Sequence, residues 1–148
     1  MPLCARQLVV KLNDQININM TSRKLNPSAI AAPAGMYSHG VLAPNAGQWL
    51  SVSGQIGMRP DGSLGTGFAE QARIAWENLM AVLAAAQMDE SHLVKLTSYL
   101  VDAADLKDLN PVRSVFLKDA RPASTLVVVK ALAKPEWLFE VEAVAYKP

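Results

Sequence analysis

The sequence predicts an α+β fold, with helices packed on one face of a single mixed sheet and elements in the order β-β-α-β-α-β. Three stretches carry that expectation. Phe68, Ala72, Ala75, Leu79, Val82, Leu83 and Ala86 follow three-four spacing and form one apolar stripe, so Phe68 to Ala86 is an amphipathic helix. Leu126-Val127-Val128-Val129 is an apolar run without polar alternation, so both of its faces are expected to be buried. Leu138 to Ala145 is a further strand that turns Glu140 and Glu142 to the same side.

In chain order, residues 1–19 hold the short apolar patch Leu8-Val9-Val10 and then a polar run from Asn13 to Asn19. A secretory signal needs a longer apolar stretch and a small-residue cleavage site, and neither is present. Residues 1–19 read as an extension dispensable to the fold, and residues 20–148 as one domain; an added edge strand at Gln7–Leu12 is the alternative. Lys24 to Gly35, rich in Pro, Ala, Ser and Asn, reads as a loop. Tyr37 to Leu42 and Gln48 to Gln55 read as paired strands joined by the turn residues Pro44-Asn45-Ala46-Gly47. In the second of them Trp49, Ser51 and Ser53 share one face, while Leu50 and Val52 share the other. Pro60-Asp61-Gly62 marks a tight turn before the long helix. Asp89-Glu90-Ser91 ends the helical pattern and Leu93 to Asp102 alternates as a strand. Asn110-Pro111 reads as an N-cap with proline at the first helical position, opening a short helix to Leu117 that buries Val112, Val115 and Phe116. Pro122, with its fixed φ and no N–H, suits the first residue of the strand that follows.

A chain of 148 residues is the size of one domain, and a 51% hydrophobic content is ample for its core. No apolar run approaches the ~18 residues of a membrane span. The net charge of +1, with both signs interleaved, gives no patch to attract nucleic acid or an anionic membrane, which argues against nuclease chemistry. The lone Cys4 makes no intramolecular disulfide, and with only two histidines it gives no zinc ligand set. No metal or cofactor is expected, and a reducing, cytoplasmic location is the default.

Met36-Tyr37-Ser38-His39-Gly40, Val52-Ser53-Gly54-Gln55-Ile56, Val94-Lys95-Leu96-Thr97, Pro122-Ala123-Ser124-Thr125 and Phe139-Glu140-Val141-Glu142-Ala143-Val144-Ala145 together resemble the RidA/YjgF family, named for its enamine/imine deaminases. The motifs stand in the family's order over roughly three quarters of the chain. The resemblance implies a chorismate-mutase-like fold that assembles as a homotrimer with small-molecule pockets between subunits.

It also implies roles for particular residues. Deamination adds water to a protonated imine carbon and releases ammonia, so the site needs an anchor for the substrate carboxylate and a group to orient water. Typical deaminase members supply the anchor as the arginine of Pro-Ala-Arg-Ser/Thr, since a planar guanidinium grips a carboxylate at two points. Read from Pro122, that position is Ser124. A hydrogen bond to a charged group contributes about 1.5–3 kcal/mol, so the exchange weakens recognition of a carboxylated imine roughly ten- to hundredfold. Arg113, which matches a pocket-lining position of the family, and Arg121, on the loop before the strand, are the candidates to compensate; each also reads as a solvated surface arginine. Glu140 matches the glutamate that positions water, against the alternative of a strand-end carboxylate in an ion pair. Tyr37 matches a tyrosine flanking the substrate, or else a half-buried structural one. Ser53 and Gly54 match one pocket wall, and Gly54 serves either close approach of a ligand or a bulge. His39 and His92 have no metal or triad context, and no histidine is placed to activate Ser124 as a nucleophile.

The expected function is a small-molecule pocket of the imine deaminase type, atypical in specificity because of Ser124. The alternatives are a hydrolase for a neutral or differently anchored imine, enamine or amide, and a non-catalytic metabolite-binding or regulatory trimer.

Overall fold

The structure is a computed structural model that describes residues 23–33, 38–45 and 47–148. The expectations for residues 1–19, including Gln7–Leu12, and for Met36 and Tyr37 lie outside the described residues. One six-stranded sheet is formed by β1 (Arg23–Leu25), β2 (Gly40–Asn45), β3 (Gly47–Ile56), β4 (Leu93–Leu100), β5 (Ala123–Val128) and β6 (Phe139–Lys147), in the spatial order β1-β2-β3-β6-β4-β5. Only β4 and β5 run parallel, so the sheet is mixed. Among the described residues two α-helices, α1 (Gly67–Ala85) and α2 (Leu106–Leu117), complete the α+β architecture that the sequence predicts.

The predicted stripe packs α1 on the sheet: Phe68, Ala72, Ala75, Leu79, Val82, Leu83 and Ala86 are all buried, opposite Leu50 and Val52 of β3 and Phe139, Val141, Ala143 and Ala145 of β6. Trp76 of α1 stacks on Phe116 of α2 with ring centroids 5.9 Å apart. Such a pair adds roughly 0.5–1.5 kcal/mol beyond the area it buries, which fastens the second helix to the first. On the sheet's other side, strand alternation presents Trp49, Ser51, Glu140, Glu142, Val144, Lys95, Thr97 and Tyr99. The two faces thus differ sharply in polarity. Among the described residues no helix is long and apolar enough to cross a membrane.

Four expectations need correction. Arg23–Leu25 is a strand, not part of a loop: it pairs with β2 and buries Leu25 at the margin of the core. The turn after β2 is shorter than expected, because β2 runs through Pro44 to Asn45, which pairs with Gly47. Helix α2 starts ahead of Asn110-Pro111. Asp102 caps a preceding 3-10 turn, its Oδ1 accepting from Ala104 N at 2.8 Å, and the chain continues from there into α2. Pro111 therefore lies inside the helix, where proline costs about 3 kcal/mol. Both Pro111 and Lys107 are exposed, so the carbonyl that loses its partner faces water. This start rotates Val115 outward to 71% exposure, while Val112 and Phe116 pack against the core as expected. Finally, β5 is the edge strand of the sheet. Leu126 packs against the core, but Val127 and Val128 are exposed, so the run is not covered on both faces within one chain.

Candidate functional site

The sequence-derived site residues fall into two groups on opposite sides of the sheet. Ser124 is in register with Leu96, which is buried in the core, so it points to the helix side. There it joins Arg113, Ser114 and Leu117 of α2 and Lys118, Ala120, Arg121 and Pro122 of the following loop around an open cavity of about 300 Å³. Glu140 is in register with Tyr99 and lies between the buried Phe139 and Val141, so it points to the helix-free side.

The cavity exists because α2 ends early and abruptly. Its C-cap, Lys118, adopts φ 48°, ψ −115°, a conformation that costs a residue with a side chain roughly 1–3 kcal/mol. Two interactions hold the turn. Lys118 Nζ donates to Glu90 Oε1 at 2.7 Å, and this pairing holds the Glu90 carboxyl below its ordinary range. Arg121 Nη1 donates to the carbonyls of Lys118 and Ala120 at 2.8 and 2.9 Å. A helix C-terminus carries partial negative charge, and a guanidinium there offsets it. Arg121 is thus committed in part to the loop. Arg113, half-buried on α2, has no hydrogen-bond or ion-pair partner among the described residues. The two arginines and Ser124 line one cavity; Lys118 and Ser114 join them without any sequence motif to mark them.

The second group is built on a bulge. The β3–β6 register shifts between Val52 and Gln55, which throws Ser53 and Gly54 out of the regular ladder. The Ser53 hydroxyl donates to the Ser38 carbonyl at 2.6 Å and its amide donates to the His39 carbonyl at 2.7 Å, so Ser53 secures the segment that precedes β2. Gly54 lies against Glu140: a Cβ on Gly54 would come 1.7 Å from Glu140 Oε1. The bulge reading of Gly54 holds, and the bulge is what admits the Glu140 carboxylate. Burial pushes the Glu140 carboxyl above its ordinary range, and the nearby charge of Glu142 adds to the effect. Glu140 forms no ion pair or hydrogen bond with the described residues, whereas Glu142 accepts from the Tyr99 hydroxyl at 3.2 Å. Of the two, Glu140 is the carboxylate without a partner among the described residues.

Both histidines are structural. His39 is buried, donating from Nε2 to the Ala31 carbonyl at 2.8 Å and accepting at Nδ1 from the Gln55 amide at 3.1 Å. His92 faces Asp89 at 2.8 Å in a capping box at the turn before β4.

The Endoribonuclease L-PSP family model matches residues 27–147. A RutC family protein of Pyrococcus horikoshii is 36% identical over 117 residues, 78% of this chain and 90% of that protein. The human 2-iminobutanoate/2-iminopropanoate deaminase is 33% identical over 129 residues, 86% of this chain and 91% of the enzyme. Among solved structures, RidA from an Antarctic Psychrobacter superposes with a TM-score of 0.78 at 32% identity, covering 84% of this chain and 98% of that one. TdcF of E. coli, solved with bound serine, has a TM-score of 0.77 at 26% identity, covering 85% and 99%.

Proposed function

Since the chain belongs to the RidA/YjgF family, which the Endoribonuclease L-PSP model describes, we propose that it is a hydrolase of the imine deaminase type working in pockets between the subunits of a homotrimer. The observation that carries this reading is Glu140: a half-buried carboxylate laid on a glycine bulge, with no partner of its own among the described residues. Such a group is suited to hold water against an imine carbon and to take its proton. The water oxygen bonds to the imine carbon and the C–N bond breaks. Nitrogen leaves as ammonia, and an oxo acid remains, with no change of oxidation state. Names among the relatives point the same way, and the serine bound to TdcF is a small molecule with a carboxylate.

Within one chain the cationic cavity and Glu140 lie on opposite sides of the sheet, so one substrate reaches both only where two copies meet. The apolar residues left exposed on β5 and β3, namely Val127, Val128 and Trp49, supply surface for that contact. The specificity is atypical because the carboxylate is gripped by Arg113 and not by an arginine at position 124. The test generates 2-aminoacrylate in a coupled assay and follows its hydrolysis above background, with sedimentation to fix the assembly. Activity above background that depends on Arg113 and Glu140, in a particle of three chains, is the expected result. A folded trimer that binds small oxo acids but never accelerates hydrolysis overturns the enzyme reading in favour of a binding protein. A particle of one or two chains at micromolar concentration overturns the composite site.

A further inference from the structure

We infer that the cavity beside Ser124 is built for a dianionic ligand: an imino acid whose side chain ends in a second carboxylate, or the oxo dicarboxylate that its hydrolysis leaves. This rests on the deaminase reading for its chemistry, and on the cavity alone for its choice of ligand. One guanidinium is enough for one carboxylate, because its fork meets both oxygens. Here two guanidinium groups from different elements line one space, Arg113 from α2 and Arg121 from the loop before β5. Among the described residues no acidic side chain lines it. Lys118, the third cation, is neutralised by Glu90 outside the cavity and serves the loop. Arg121 spends Nη1 on two carbonyls, which cancels the repulsion a helix C-terminus would exert on an anion and leaves its remaining N–H groups uncommitted among the described hydrogen bonds.

The size and the small residue at 124 agree with that assignment. A volume of about 300 Å³ is at the lower end of small-molecule pockets and exceeds what a three-carbon acid needs. Serine at 124 leaves open the space a strand arginine would fill, and its hydroxyl can donate one hydrogen bond to a carboxylate. Ser114 donates to the Asn110 carbonyl at 2.8 Å, so its proton serves the helix and not the ligand.

Two measurements separate this inference from the enzyme reading. Calorimetric titration of the full chain with 2-oxoglutarate, oxaloacetate and 2-oxobutanoate tests the ligand class without catalysis. The dicarboxylates are expected to bind at least tenfold more tightly than 2-oxobutanoate. Arg113→Leu should abolish that preference and Arg113→Lys, which keeps charge but loses the fork, should restore only part of it, both with unchanged melting temperature. In parallel, imines made in situ from glutamate, aspartate and alanine by amino-acid oxidases are trapped with semicarbazide in competition with the protein. Faster hydrolysis of the two acidic imines supports the inference. Equal binding of mono- and dicarboxylates, or a preference unchanged in Arg113→Leu, overturns it, whatever the activity. Selective dicarboxylate binding with no hydrolysis of any imine sustains it and removes the enzyme reading instead.

Discussion

The cavity at the end of α2 and the bulge at Gly54 are two ways of building a polar site. The cavity is open and cationic, and it is held by a strained helix end, a salt bridge and an arginine that caps carbonyls. The bulge is tight: a carboxylate pressed on backbone, with no room for one more carbon. The first can change its cations with little consequence for the core. The second tolerates no change at Gly54 without moving Glu140. On the deaminase reading, recognition falls to the open region and water positioning to the tight one.

The largest effect should come from the tight region. Glu140→Gln keeps the shape and removes the base, so turnover of any imine substrate should fall by about 10²–10⁴-fold while oxo acid binding stays within a factor of a few. Steady-state kinetics beside calorimetry checks this; a loss confined to KM would assign Glu140 to binding. Gly54→Ala comes next. The added carbon must displace Glu140 Oε1, and a misplacement near 1 Å can cost about a hundredfold in rate. Unchanged kcat in Gly54→Ala would mean that the carboxylate works from a position other than the one seen. A smaller effect is expected from the open region: Ser124→Arg should raise activity on 2-aminoacrylate about tenfold, from a charged hydrogen bond of about 1.5 kcal/mol. Strong activity in the wild type and none gained in a folded Ser124→Arg trimer would show that Arg113 already saturates the carboxylate.

The two regions were also unequally legible in the sequence. The stripe of α1 and the alternation of β3 and β6 were readable because each buries one face against the chain itself, so period and burial coincide. That put Glu140 and Glu142 on one face, which the structure makes the face opposite the helices. The cavity was only half readable. Asn110-Pro111 mimics a helix start, yet Asp102 caps earlier, and an exposed proline is tolerated where its orphaned carbonyl meets water. Lys118 at positive φ carries no residue-type signature, because glycine or asparagine would be the usual occupant. The β5 run shows a related limit: an unbroken apolar stretch says that burial is required but not which chain provides it.

The smallest effect concerns the cost of holding Glu140 in place. Burial raises its carboxyl above the ordinary glutamate range, so the folded state resists the charged form. Below that ordinary range the side chain is protonated whether the chain is folded or not, and Glu140→Gln should melt at nearly the wild-type temperature. As pH rises toward and through the raised value, the unfolded chain ionises freely while the folded one does so at a cost, so the wild type loses stability that the glutamine variant keeps. The difference in melting temperature should therefore open in favour of Glu140→Gln between mildly acidic and neutral pH, and then stay level. Activity should move the opposite way, rising over the same interval as the carboxylate forms and can accept a proton from water. Melting curves of both proteins across that range decide it. A gap that opens in favour of the wild type would mean that a donor on a neighbouring copy meets Glu140 in the assembly, and the carboxylate would then be tied to the interface and not left for water.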